Sequence, residues 1–437
     1  MASKHSRSER MFRHSPEPPG QPALLPPSIE ELIPLDHIVR QIKACAASLD
    51  LSAVESQFGE SGGYPYPPHL VLGVLLFGMM DRERSSRRLA EHCLYDVRYR
   101  YLCEGLAPHY RTISRFRRRL LEESSELLSQ VISRAVACGI IEPGGALAVD
   151  GTKVAGSVKQ WRKMLSSDDL SETADPDART MVCARSGYVN GYNARAAVDL
   201  ETGLVVASEV TNQASDAPCL AEFIDQATAR LGQTPSSAVA DRGFESAENA
   251  SALEERQVTP YLRPKGDSAL FWKVNEQDQL ICPEGHAATR FDRFERYGHD
   301  TIRLHVPACK SCPKRPTCHK AVEKTISYPA TANPAARVRN AHRCRSPEGI
   351  RMLRRRSSIE TVFGQMKCNM SFQKFLLRGL WAVEGEFNLQ CLAYNLQKLL
   401  GGLLHVLKAL QSQLRRQRDL PNVLRSKTVS CKNAALG

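Results

Sequence analysis

The chain has 437 residues, enough for two or three domains and a sizeable core. Its 59 Lys and Arg against 47 Asp and Glu leave a net charge of +12, concentrated in clusters, which fits a nucleic-acid partner, with a basic soluble surface as the plainer alternative. The polar, basic start has no apolar core of an export signal, and the longest apolar run, Leu70 to Met80, is shorter than the roughly 20 residues a bilayer needs, so the expectation is a cytoplasmic protein without a membrane partner.

Residues 1–30 read as a disordered, basic and Pro-rich arm, as in SPEPPGQPALLPPS. From 31 to 140 the apolar spacing is helical. Prolines open the helix of PPHLVLGVLLFGMM, which reads as buried. Ser85 and Ser86 stand near a helix start, and Thr112 reads as the N-cap of a helix studded with Arg111, Arg115, Arg117, Arg118 and Arg119. Several short helices ending in a basic one resemble a helix-turn-helix arrangement, in which such a helix lies in a groove or along phosphates. An ordinary bundle with a basic face is the alternative. A planar guanidinium grips two phosphate oxygens at once, so these five arginines are candidate DNA contacts.

After EPGG the texture changes. ALAV is a short strand ending in Asp150 and Gly151. GYNARAAVDLETGLVVASEV reads as two strands joined at DLETG. A further strand, AVA, ends in Asp241, followed by Arg242 and Gly243, and SAENASALEERQ reads as a helix. Strands alternating with helices imply an α/β core, of which residues 141–257 form the first part. Residues 258–347 are irregular, aromatic and cysteine-rich, residues 348–414 are helical again, and 415–437 form a basic tail with Arg415, Arg416 and Arg418.

Asp150 and Asp241 both end apolar strands ahead of a glycine turn, where ligands of α/β sheets gather. Either acid alone fits a turn residue, which Asp favours. A third acid, Glu360, lies in RRRSSIETVFGQMK, with Arg356, Gly364 and Lys367 on its helical face and Ile359, Val362, Phe363 and Met366 on the adjoining apolar side. A surface ion pair with Arg356, of about 0.3–0.5 kcal/mol, is the modest reading. Three carboxylates can instead hold two Mg²⁺ ions roughly 3.5–4 Å apart for displacement at phosphorus. Asp199 is a further acid, but it sits in the turn between two strands and reads as structural.

Fourteen cysteines are mostly scattered through apolar segments, as at Cys45, Cys138 and Cys391, which suits reduced core thiols. Cys282, Cys309, Cys312 and Cys318 differ: a Cys-x2-Cys pair with two further cysteines is the ligand set of a structural zinc site. His286 and His319 could each replace a cysteine, and Lys310, Lys314, Arg315 and Lys320 would be offered to DNA. Four reduced thiols without metal are the alternative.

ALAVDGTKV, GYNARAAVDLETGLVV, AVADRGFES and RSSIETVFGQMK, in this order, resemble the DDE transposases of bacterial insertion sequences, more narrowly the subgroup with a Tyr-x2-Arg-x3-Glu-x6-Lys signature. YPYPPHLVLGVLLFGMM, SSRRLAEHCLYDVRYRYL and PHYRTISRFRRR resemble that family's N-terminal domain. The resemblance spans roughly Pro34 to Leu400. It implies an RNase H-like core, a mixed sheet with flanking helices, after an all-α N-terminal domain. It also implies Asp150, Asp241 and Glu360 as catalytic ligands of Mg²⁺ (Mn²⁺ as a substitute), with Arg356 and Lys367 on the DNA end. The signature tyrosine falls on Leu353, a departure that bears on end handling and not on metal binding.

The reading is then a transposase that binds the terminal inverted repeats of its insertion sequence, cuts them, and joins the free 3′ hydroxyl to target DNA. Two ends must be handled together, so a homodimer on DNA is expected. A DNA-binding protein that keeps the fold without cleaving is the alternative. A metal-stapled RNA-binding protein would account for charge and cysteines but not for three acids in this layout.

Overall fold

The computed structural model describes residues 28–58, 65–158, 175–183, 187–214, 220–296, 299–318 and 323–418. Nearly all of the expected arm, the tail beyond Arg418, and His319 and Lys320 lie outside them.

Six helices come first: α1 (Ile38–Ser48), α2 (Ser52–Glu55), α3 (Pro68–Met80), α4 (Ser86–Tyr95), α5 (Val97–Leu102) and α6 (Tyr110–Ala137). α3 is buried from Leu70 to Met79, as an all-apolar helix must be. Ser85 stands at the N-cap of α4, as expected. Thr112 does not cap α6. His109 does, with its Nδ1 accepting the Arg111 N–H at 3.3 Å, and Thr112 falls in the first turn. The imidazole offers an acceptor two residues ahead of that N–H, so the helix can start earlier.

The sheet has six strands: β1 (Ala146–Ala155), β2 (Arg179–Cys183), β3 (Gly187–Asp199), β4 (Val205–Thr211), β5 (Ser237–Ala240) and β6 (Thr259–Leu262). β1 is central, antiparallel to β3 on one side and parallel to β5 on the other. β2 and β4 run antiparallel to successive parts of β3, and β6 runs parallel to β5. The sheet is therefore mixed, with helices packed against it. β3 and β4 meet at a turn closed by Asp199, whose Oδ1 accepts from the Thr202 N–H at 2.7 Å and hydroxyl at 2.5 Å.

Between β5 and β6 lies α8 (Ala247–Glu255), and α7 (Leu220–Leu231) precedes β5. β6, inside the stretch read as irregular from residue 258, belongs to the main sheet. The cysteine-rich stretch after it carries the β7 (Lys273–Val274) and β8 (Leu280–Ile281) pair. It also carries a three-stranded sheet of β9 (Thr289–Arg296), β10 (His299–His305) and β11 (Thr325–Pro329), and the short α9 (Arg315–Cys318). Trp272, Leu280, Cys282, Val306 and Cys309 form its own small core, closed by Ala335 and Val338. Those last two belong to α10 (Pro334–Arg345), which returns to the main sheet: Asn340 accepts from the Leu262 N–H at 2.9 Å and donates to its carbonyl at 2.8 Å.

The C-terminal helical stretch is interrupted, not continuous. α11 (Pro347–Arg355) and α12 (Ser357–Gly364) lead into one π-helical turn, Gln365–Asn369. Residues 370–379 then leave the helix, with positive φ at Ser371 and Gly379. Phe372 and Phe375 are fully buried, their rings 5.3 Å apart, and the Phe375 N–H donates to the Ala155 carbonyl at 2.8 Å. Burial of the two rings fixes the break where helical periodicity would have continued. α13 (Leu380–Arg418) follows and lies against α6, α3 and β4. At Gly385 the backbone of α6 comes so near that an added Cβ would sit 2.9 Å from the Leu121 Cα.

A single apolar core joins the N-terminal helices, α13 and the sheet. Cys391 is fully buried in it and Cys45 half-buried, but Cys138, expected inside, is exposed at the end of α6, where the helix stops. Among the described residues no helix is long and apolar enough to cross a membrane.

Candidate active site

Val149 of β1 stands opposite Ala240 of β5 in parallel register, so Asp150, within β1, and Asp241, just past the end of β5, stand at the same level of neighbouring strands. Contrary to the expected strand end, β1 runs on past Asp150 to Ala155, whereas β5 ends at Ala240 and Asp241 opens a 3-10 turn; each acid has one oxygen tied to a backbone N–H just after it. Asp150 Oδ1 accepts the Gly151 N–H at 2.8 Å, and Asp241 Oδ1 accepts the Gly243 N–H at 2.7 Å. The acids are thus aimed by their own backbone.

α12 buries Ile359, Val362 and Phe363 and packs on β1, leaving Glu360 59 % exposed. Arg356 stands at the joint between α11 and α12, its side chain 15 % exposed. Its Nη1 donates to Asp150 Oδ2 at 2.9 Å and its Nη2 to Glu360 Oε1 at 2.6 Å. One guanidinium therefore joins two of the three acids. Lys367 falls in the π turn, a deformation frequent at functional sites. Its Nζ donates to Thr152 Oγ1 at 2.6 Å and to the Lys153 carbonyl at 2.9 Å. Lys367 is thus held two residues along β1 from Asp150. Thr152 escaped the sequence reading, although strand alternation puts it on the same face as Asp150.

Among the described residues no group of three or more His, Cys, Asp or Glu side chains is gathered closely enough to hold a metal ion. The donors nevertheless fit a hard divalent cation. They are carboxylates with no sulfur, two of them rise side by side from the sheet, and the third is linked to the first through a single cation.

On α6, Arg111, Arg115 and Arg118 are exposed, and Arg119 is half-buried with its guanidinium 4.1 Å from the Phe58 ring centre. Arg117 is not on this surface. It is 6 % exposed, and its Nη2 donates to the Arg84 carbonyl at 2.7 Å, because it shares the buried stripe of Ile113, Phe116 and Leu120. Arg84 is buried too. It pairs with Glu386 of α13, donates to the Lys374 carbonyl at 2.8 Å and lies 4.8 Å from the Phe372 ring centre. Glu386 also accepts the N–H groups of Leu376 and Leu377, each at 3.0 Å. Leu353, at the tyrosine position, packs half-buried against the core.

In the cysteine-rich stretch, Cys282 and Cys309 are buried, Cys312 and Cys318 half-buried, and all four are free thiols. Cys282 Sγ accepts the His286 N–H at 3.4 Å. The Cys318 thiol is pushed up first by burial and then by Cys309. Lys310 and Lys314 are engaged within the stretch, by Glu323 at 3.0 Å and Glu284 at 3.1 Å.

The transposase DDE domain matches residues 143–396, and a transposase domain (DUF772) matches residues 27–119. No curated protein matches. Among solved structures, the chain is similar to piggyBac transposase in a synaptic complex with hairpin DNA, studied by cryo-electron microscopy. The TM-score is 0.33 and the identity 12 % over 91 % of this chain and 82 % of that one, too distant to carry any inference.

Proposed function

The chain belongs to the family of the transposase DDE domain, with the transposase domain typical of insertion-sequence transposases ahead of it, and we propose that it binds the terminal inverted repeats of an insertion sequence, cuts them with divalent metal, and joins them to target DNA. That domain implies an enzyme that cleaves DNA and transfers strands. The observation that carries the finer reading is the bridge from Asp150 through Arg356 to Glu360, with Lys367 beside it on β1.

Asp150, Asp241 and Glu360 would hold the metal. Two Mg²⁺ ions, or Mn²⁺ in their place, supply Lewis acidity for in-line displacement at phosphorus when bound. Arg356 and Lys367 grip phosphates beside the cut. Arg111, Arg115, Arg118 and Arg119 on the exposed side of α6 contact the repeat. The strand order, three antiparallel strands continued by two parallel ones, supports an RNase H-like core. The enzyme acts as a homodimer on paired ends in the bacterial cytoplasm. Cys282, Cys309, Cys312 and Cys318 would bind one structural Zn²⁺ that pins the stretch inserted between Asp241 and Glu360, a reading that rests on their sequence spacing. Protein purified under reducing conditions should carry one zinc per chain, and metal analysis finding none removes this assignment.

A second reading, a binder without chemistry, draws on Leu353, whose side chain packs on the core where the signature has a tyrosine. Cleavage of a DNA fragment bearing the ends decides between them. With Mg²⁺ the native protein should cut, and Glu360→Gln should bind equally and cut about a hundredfold less or worse, the scale of losing one electrostatic stabiliser. Equal cutting by both would remove Glu360 from the site, and binding without cutting by the native protein would favour the silent binder.

A further inference from the structure

We infer that Arg356 is an exchangeable counter-ion: its guanidinium keeps Asp150 and Glu360 closed to divalent cations until DNA phosphate draws it away. This rests on the reading of Asp150, Asp241 and Glu360 as metal ligands, and concerns the order in which metal and DNA bind.

The geometry makes guanidinium and cation rivals. Arg356 directs one N–H at Asp150 Oδ2 and another at Glu360 Oε1. The other Asp150 oxygen accepts from the Gly151 N–H. A divalent cation held through Asp150 Oδ2 and Glu360 Oε1 competes with Arg356 for those oxygens. Arg356 and Asp150 are each 15 % exposed, so their contact is largely withdrawn from water, where a charge-assisted bond is stronger and an unpaired carboxylate costly. Something positive must stay beside Asp150, either the arginine or a metal ion.

The geometry also supplies the exit. Glu360 is 59 % exposed, so the bridge has one open side. The forked guanidinium, which gives one bond to each of two carboxylates, can give both to a single phosphate. Arg356 sits at the joint of two helices with ordinary helical backbone angles, so its side chain can swing without moving either helix. Lys367 is different, since its ammonium is anchored to Thr152 and to the Lys153 carbonyl, outside the bridge.

Exchange of this kind couples the two ligands. DNA raises cation affinity, and cation raises DNA affinity by the same factor. Metal loading therefore waits for DNA.

The test reads Mn²⁺ binding to the full chain, from the electron paramagnetic resonance signal of free Mn²⁺, with and without a saturating end fragment. Native protein, Arg356→Gln and Asp150→Asn are compared, each checked for folding by its urea midpoint, and DNA's own Mn²⁺ uptake is taken from Asp150→Asn. Without DNA, Arg356→Gln should bind Mn²⁺ about tenfold more tightly than native protein. End DNA should tighten native binding by about fivefold or more, and Arg356→Gln much less. The inference is overturned if Arg356→Gln binds no more tightly than native protein without DNA, or if end DNA leaves native binding unchanged. Should Arg356→Gln fail to fold, the native comparison with and without DNA decides alone. If native protein and Asp150→Asn take up Mn²⁺ identically in both conditions, the metal-ligand reading itself falls. If uptake depends on Asp150 but not on Arg356, only the exchange falls.

Discussion

At Asp150 the carboxylate is fixed by a backbone N–H on one oxygen and by Arg356 on the other, while Lys367 is fixed on the same strand by Thr152. The Thr152 hydroxyl is thus a positioning group, and Thr152→Val removes it with little change of shape. A hydrogen bond to a charged group is worth about 1.5–3 kcal/mol, so single-turnover cutting should fall about tenfold while the urea midpoint barely moves. Unchanged cutting would show that Lys367 is held by the Lys153 carbonyl alone. His37 offers a pH test. Its Nδ1 accepts the Val39 N–H at 3.2 Å as the cap of α1, and burial, then Arg98, push its pKa below the ordinary 6.5. The neutral ring is the folded form, so its contribution is full above about 6.5 and lost as the pH falls through the lowered folded value. The non-titrating cap His37→Asn should therefore lose less urea stability than native protein between about pH 7 and pH 5. Cys344 runs the other way. Burial raises its thiol to about 11, so its contribution holds below the ordinary 9.0 and fades as the pH climbs through about 11. At neutral pH it should resist alkylation while exposed Cys138 and Cys368 react, as mass spectrometry of the labelled protein would show.

Strands, turns and α12 differ in how openly the sequence announces them. An apolar run ending in an acid and a glycine marked the end of β5, but at β1 it marked only the first half, since pairing with β3 carries the strand on through Asp150 and Gly151 to Ala155. Glu360 was legible because Ile359, Val362 and Phe363 mark the buried side of its helix. Arg117 could also have been read correctly, since its spacing from Ile113 and Leu120 puts it on the apolar stripe, but a count of clustered arginines hides that. Four things had no local signal. The level at which Asp150 and Asp241 meet depends on pairing between strands about ninety residues apart. The seating of β6 at the edge of the sheet is backed by Asn340 reaching Leu262. The break at 370–379 depends on two phenylalanines finding a pocket against β1. The α6–α13 crossing was equally silent. It requires Gly385, where a Cβ meets Leu121 at 2.8–2.9 Å. Gly385→Val should push the helices apart at a cost of about 1–3 kcal/mol, read as a lower urea midpoint with unchanged slope. A neutral result would mean that α6 can shift freely.

Across the whole molecule, the N-terminal helices and the sheet share one core, and a buried charge pair crosses between them. Arg84 reaches from the loop before α4 to Glu386 on α13 and to carbonyls in the stretch that follows Lys367. Removing one member strands the other, so Arg84→Ala should cost about 3–5 kcal/mol, whereas Arg84→Met with Glu386→Leu together should cost less. Urea unfolding of the two variants measures the difference, and equal losses would show that the carbonyl contacts, not the ion pair, carry the effect. The same pair limits how such a chain can diversify. Exchange of N-terminal segments between related insertion sequences would be a quick route to new end preferences if the segments were interchangeable parts. Here a donated segment must bring an arginine that meets the resident glutamate and its two leucine amides. A hybrid gene joined anywhere between codons 84 and 386 inherits the two halves of this lock from different parents, and only parents that share it can yield a folded offspring.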